Sequence, residues 1–150
     1  MIRIALAVLC FVGMLGAQDS KWSVSKDTNP LNGAVTVTAI NTSGSAAMVL
    51  RRTGKNLELY VNTGQFLETI ESVETHRVAV NFRIDDAKIE TGYWGLSTDY
   101  TAVFFRGNIQ KMMDRLSHAR RFVIQFYPTD KIAQTAVFDV QNIPPEIYSH

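Results

Sequence analysis

The chain has 150 residues, of which 46% are apolar, 10% aromatic and 19% charged, the composition of one ordinary globular domain. So much Val, Ile, Leu and Phe with so few charges excludes a disordered tail, and 9 Gly, 4 Pro and 1 Cys exclude collagen-like and disulfide-dense scaffolds. The formal charge of +1, from 15 basic and 14 acidic residues, gives no case for nucleic acid or an anionic membrane as partner.

The chain opens with a short basic start, Met1 to Arg3, followed by an uncharged apolar run of 14 residues, Ile4 to Ala17. A membrane-spanning helix needs roughly 17–25 residues, so the layout predicts a secretory signal peptide over 1–17, against the competing reading of an uncleaved N-terminal anchor. Leu15, third before the cut, is larger than the small residue usually found there. Cys10 follows Leu9 rather than a small residue, which argues against lipidation. Cleavage after Ala17 leaves one domain over 18–150 with no Cys, no transmembrane segment and a net charge of zero. Such a protein is exported, to the periplasm or beyond the cell, and is held together by its core rather than by disulfides.

Period-2 alternation then dominates. Ala34–Ile40 sets Val35, Val37 and Ala39 against Thr36 and Thr38. The composition of Asn41–Ser45 predicts a turn. Met48–Arg52, the turn Thr53–Asn56 and Leu57–Asn62 continue an antiparallel meander. Gly64–Ile70 carries a weak helical pattern, read as a loop or one turn. Val78–Ile84 is the cleanest strand, with Val78, Val80, Phe82 and Ile84 on one face, and Asp85-Asp86 ends it. Tyr93–Ser97 and Thr101–Phe105 follow as short strands. Ile109, Met112, Met113 and Leu116 then stand at i, i+3, i+4 and i+7, predicting an amphipathic helix over about 108–119 with Asn108 as its N-cap. Arg121–Tyr127 and Gln134–Val140 are the last strands, joined by a hairpin through Pro128–Lys131. The expectation is a mainly β antiparallel sandwich or partly closed barrel of about eight strands, with the helix covering one end or open face.

The chemistry-bearing residues form few patterns. His76, His118 and His150 lie in no metal-ligand spacing, and Glu74 with His76 supplies only two ligand types, so no metal or cofactor is expected. There is no Gly-x-Ser-x-Gly elbow, no phosphate-binding loop and no Gly-x-Gly-x-x-Gly. Two carboxylate clusters, Asp85-Asp86 with Glu90 and Glu68 with Glu71 and Glu74, could run glycoside hydrolysis, but they read first as turn chemistry and solvated surface. Lys111, Arg115 and His118, with Arg120 and Arg121 beyond, form a cationic stripe on the helix that could hold an anionic sugar, a phosphate or an acidic partner, or simply face solvent and suit the helix dipole. Arg51-Arg52 and Arg77 with Arg83 sit within or beside strands, where an Arg on the polar face pairs with a cross-strand carboxylate, and Glu58 on the next strand is a candidate partner. Gly92-Tyr93-Trp94-Gly95 suggests a tight bend that either buries a ring in the core or presents it to a ligand.

The order of these features resembles a family. Trp22, the turn Asn29–Gly33, Met48-Val-Leu-Arg51, Leu57–Val61, Val78–Asp85, Trp94 with Ser97, the helix ending in Leu116, Phe122–Pro128 and Thr135–Val140 are together similar to the small exported bacterial proteins related to the type VI secretion-associated protein VasI. Relatives often carry Cys where this chain has Arg52, so no Cys-dependent role carries over. The resemblance implies an exported accessory role and transfers no catalytic residues.

The resulting reading is an exported, non-catalytic binding or accessory protein of the bacterial cell envelope with a protein partner. Its candidate contact residues are Tyr93, Trp94, Lys111, Arg115, Arg120 and Arg121. The alternatives are a glycan-acting envelope enzyme using Asp85, Asp86 and Glu90, and a carbohydrate-binding module using Tyr93 and Trp94. Strand addition at an exposed edge is the expected mode of protein docking.

Overall fold

The computed structural model describes residues 20–67, 76–129 and 132–148. The expected signal peptide and its cleavage point lie outside these residues, as do Glu68, Glu71, Glu74, residues 68–70 of the weak helical stretch 64–70, and His150. The described part of that stretch is a bend, and its buried Leu67 forms an antiparallel bridge with Pro128.

The described chain is mainly β. Its strands are β1 (Trp22–Thr28), β2 (Val35–Ser43), β3 (Ala46–Thr53), β4 (Asn56–Asn62), β5 (Arg77–Ile84), β6 (Glu90–Leu96), β7 (Ala102–Phe104), β8 (Arg121–Phe126) and β9 (Gln134–Asp139). The helix α1 (Ile109–Ser117) lies between β7 and β8, and a 3₁₀ turn, Pro145–Ile147, follows β9. All pairings are antiparallel within one sheet of order β1-β2-β3-β4-β7-β6-β5-β8-β9, which does not close into a barrel. The eight expected strands are present; β1 is an addition.

Two hairpins fix the first half. Gly44 and Gly54 each have φ +58 at the first turn position, and the residues after them do not have positive φ. This is the pattern of a type II′ turn, whose twist matches that of the flanking strands. The expected turn over Asn41–Ser45 is thus shorter, because β2 continues through Ser43 and only Gly44-Ser45 reverses the chain.

Register puts Val37, Ala39 and Asn41 of β2, Met48, Leu50 and Arg52 of β3, and Leu57, Leu59 and Val61 of β4 on one inner face. The inner faces of β5, β6, β8 and β9 add Val78, Val80, Phe82, Trp94, Phe122, Ile124 and Phe138 to the same continuous core. Trp94 sits at its aromatic centre, with ring centroids 5.8 Å from Phe82, 5.4 Å from Phe105 and 6.5 Å from Phe122. The helix is anchored as its sequence demands: Met112, Met113 and Leu116 are buried, and Asn108 Oδ1 accepts from the Lys111 N–H at 3.1 Å.

The far ends of the sheet approach each other without pairing. β2 packs against β9, and the 3₁₀ turn lies under β2 and β3. The buried Asn41 Nδ2 donates to the Asp139 carbonyl at 2.5 Å and so ties β2 to β9.

Candidate functional site

The cationic stripe and the carboxylate cluster, separate in the sequence, meet in space. Arg115 is bidentate on Glu90 (2.5 and 3.3 Å), and Arg121 Nη2 lies 3.4 Å from Asp86. Asp85, at φ +51, accepts the main-chain N–H groups of Arg120 and Arg121 at 2.9 Å each and holds the start of β8. Both groups are largely solvated, so the ion pairs contribute on the order of 0.2–1 kcal/mol each. The pairing still has a chemical consequence. Glu90 and Asp86 face guanidinium groups and Asp85 backbone N–H groups, so the acidic cluster and the cationic stripe partner each other. The cavity beside Glu90, of about 350 Å³, is bordered by Arg77, Tyr93 and Arg106 and has no second carboxylate among its described lining residues. Of the stripe, Lys111 is exposed and in no ion pair among the described residues, and His118 Nδ1 bonds the Asp114 carbonyl and Ser117 Oγ. Arg120 and Arg121 belong to the β8 end, and Arg115 is the basic residue in the helix's last turn.

Tyr93 and Trp94 point to opposite faces of β6. Tyr93 is 54% exposed and Trp94 only 2%, so the two rings do not form a shared platform, and Trp94 belongs to the core rather than to a binding surface. Gly92 and Gly95 lie within the strand, not in a bend. A Cβ at Gly92 would stand 3.1 Å from the Trp94 indole nitrogen, and one at Gly95 would collide with the Arg106 guanidinium. The glycines make room for a ring and for an arginine. Of the strand arginines it is Arg51 that takes the candidate partner Glu58, at 2.6 Å, with its guanidinium also over the Tyr60 ring.

Two features stand out that the candidate residues do not include. The first is the edge β1. Asn29 N–H donates to the Ala34 carbonyl at 2.8 Å, and the register keeps the same pairing phase back to Trp22–Asn41. Antiparallel alternation then turns Ser23, Ser25 and Asp27 toward β2, and the N–H and C=O groups of Trp22, Val24, Lys26 and Thr28 toward the open side. Trp22 N–H is taken by Ser20 Oγ at 3.3 Å. Ser23–Thr28 are exposed, leaving the main-chain groups of Val24, Lys26 and Thr28 facing solvent.

The second is a cleft of about 360 Å³ between the inner face of β1–β3 and the 3₁₀ turn, lined by Lys26, Val35, Val37, Arg52, Gly54 and Glu146. Arg52 is only 5% exposed. Its Nε donates to the Ile147 carbonyl and its Nη1 to that of Gly54 at 3.4 Å, and no carboxylate lies within ion-pair range of it among the described residues. Glu146, half-buried, shares the cleft without forming an ion pair.

The outer face of the second half carries a network of uncharged polar groups. Asn81 Nδ2 donates to Gln125 Oε1 at 3.1 Å and to the Tyr127 hydroxyl at 2.9 Å, and Thr91 Oγ1 donates to Asn81 Oδ1 at 2.7 Å. In the β6–β7 loop, hydrogen bonds from Ser97 and Thr101 hold the Asp99 carboxyl below its usual pKa. Among the described residues no group of three or more His, Cys, Asp or Glu is placed to hold a metal ion, and no helix is long and apolar enough to cross a membrane.

No protein-family model matches the chain, and neither does any curated protein or solved structure.

Arg52 was within reach of sequence reasoning. It follows Ala46, Met48 and Leu50 at steps of two, a parity that places its side chain on the core face beside them. No such signal marks β1, whose side chains are exposed on both faces after Trp22.

Proposed function

We propose that this protein is an exported, non-catalytic binding protein of the bacterial cell envelope that docks a protein partner by strand addition along β1. The observation that carries the reading is the open edge: a seven-residue strand whose main-chain groups at Val24, Lys26 and Thr28 face away from β2 and have no strand partner among the described residues. Such an edge is a template for one more strand, with backbone hydrogen bonds supplying affinity and alternate side chains supplying selectivity. The amino-terminal layout supports export, and the resemblance to VasI-related proteins supports an accessory role tied to type VI secretion.

A photo-crosslinking residue at Val24 tests the reading in cells. A discrete partner adduct is expected from position 24 and not from Ser117 on the helix. Val24→Pro, which removes an outward N–H, is expected to abolish the adduct formed from a crosslinker at Thr28 while leaving the thermal melt in place. Equal adducts from both positions, or none from position 24, defeat the proposal. Type VI secretion in a strain lacking the protein tests the pathway separately.

The network of Asn81, Thr91, Gln125 and Tyr127, with exposed Tyr93 on the same sheet face, favours a second reading as a carbohydrate-binding module. Amides and hydroxyls beside aromatic rings suit a neutral glycan. Titration with cell-wall oligosaccharides is then expected to shift the Asn81 and Gln125 side-chain resonances, and Asn81→Ala to remove the response. An unchanged spectrum across the panel ends that reading.

A further inference from the structure

Arg52 is the most unusual charge in the molecule. Its neighbour Arg51 points outward to Glu58, while Arg52 points inward, 95% buried, with two main-chain carbonyls as its hydrogen-bond acceptors. Buried guanidinium groups are ordinarily matched by a carboxylate, because carbonyl dipoles do not neutralise the charge. Among the described residues no carboxylate pairs with Arg52, and its side chain borders a cleft. Lys26 lines the same cleft from β1, and Val35, Val37 and Ala34 make its apolar wall.

We propose that this cleft is a binding site for a small monocarboxylic acid, with the carboxylate on Arg52 and Lys26 and a short apolar stem against Val35 and Val37. The charges select the ligand. Two cations and Glu146 leave one net positive charge, which a carboxylate cancels and a dianionic phosphate would overshoot. The planar fork of a guanidinium suits the two oxygens of a carboxylate. A cleft of about 360 Å³ holds an acid of a few carbons with room for water. The site is separate from strand addition, since it uses side chains on the inner face rather than the main-chain edge.

The test is a nuclear magnetic resonance titration of the protein with butyrate, and with butyramide as the uncharged match. Butyrate is expected to shift the Arg52 Nε–H, the Gly54 amide and the Val37 methyls together and saturably, with a Kd on the order of millimolar. Butyramide is expected to leave them in place. Arg52→Lys keeps the charge but loses the fork, and should weaken butyrate binding by about ten-fold. Should that variant fail to fold, Lys26→Gln changes only an exposed side chain and is expected to weaken binding by about three-fold or more, with a matching loss on raising salt. Equal response to butyramide, no response to butyrate at about ten times the millimolar range, or unchanged affinity in Lys26→Gln overturns the proposal. Because Val24→Pro acts on the edge alone, its effect on partner crosslinking fails or succeeds independently of this titration.

Discussion

The two edges of the sheet are held by different forces. β9 alternates: Ala136 and Phe138 are buried while Thr135, Val137 and Asp139 face out, and its Asp139 carbonyl is taken by Asn41 across the fold. β1 has the same length scale and the same antiparallel ladder, yet after Trp22 every one of its residues is exposed. β9 belongs to the core and brings a ladder with it. β1 belongs to the ladder and contributes one tryptophan. An edge secured by side-chain burial cannot leave without opening the core, whereas an edge secured by backbone bonds keeps its outer groups available. That contrast is why β1, rather than β9, is the edge proposed for docking.

The largest effect should come from the side that depends on burial. Trp94→Ala removes the ring shared by Phe82, Phe105 and Phe122, and about 3–5 kcal/mol of stability should go with it, measured by urea unfolding. A loss below about 1 kcal/mol would mean that the aromatic cluster is not what holds this half together.

On β1 the comparison can be sharpened by two neighbouring substitutions. Ser25→Pro deletes a ladder donor and should cost about 1–3 kcal/mol, with hydrogen exchange across β1 and β2 accelerated. Val24→Pro deletes a donor that faces solvent and should cost less than about 1 kcal/mol. Equal costs would show that the phase of the ladder, and with it the open edge, has been misassigned.

Between the edges stands Asn41. Asn41→Ala leaves the Asp139 carbonyl without its side-chain donor, and about 1–2 kcal/mol should be lost by denaturant titration. The same variant should loosen β9 in hydrogen exchange more than it loosens β1, because β1 lies on the other side of β2.

The smallest effect has the opposite sign. Trp22 is 7% exposed and its Nε1–H is buried without an acceptor among the described residues. Trp22→Phe keeps most of the apolar surface and removes the orphan donor, so stability should hold or rise by up to about 1 kcal/mol. A clear loss would show that the indole's full area is what pins the start of β1.

Much of the architecture could be read before any coordinate was known. Val78–Ile84 alternates without a break because one face is buried and the other is not. Asn108 and the Ile109–Leu116 stripe mark a helix because a cap and a 3.6-residue period are local properties. β1 escaped because Trp-Ser-Val-Ser-Lys-Asp-Thr carries little apolar alternation: a strand that buries almost nothing leaves almost no pattern. The candidate sites fared differently from the elements. In the sequence Lys111, Arg115, Arg120 and Arg121 stand as a cationic group and Asp85, Asp86 and Glu90 as an acidic one. That Arg115 meets Glu90, 25 residues away, was invisible until β6 and α1 were packed together.

Periodicity, turn glycines and caps are short-range physics, so the chain alone determined eight of its nine described strands, its helix and the hydrophobic faces of these elements. Which charges neutralise one another, that Trp94 is enclosed while Tyr93 is presented, and which edge stays open were decided only in the tertiary structure. Those outcomes depend on distances between segments far apart in the chain, and burial sets the cost of a charge or a donor left without its partner.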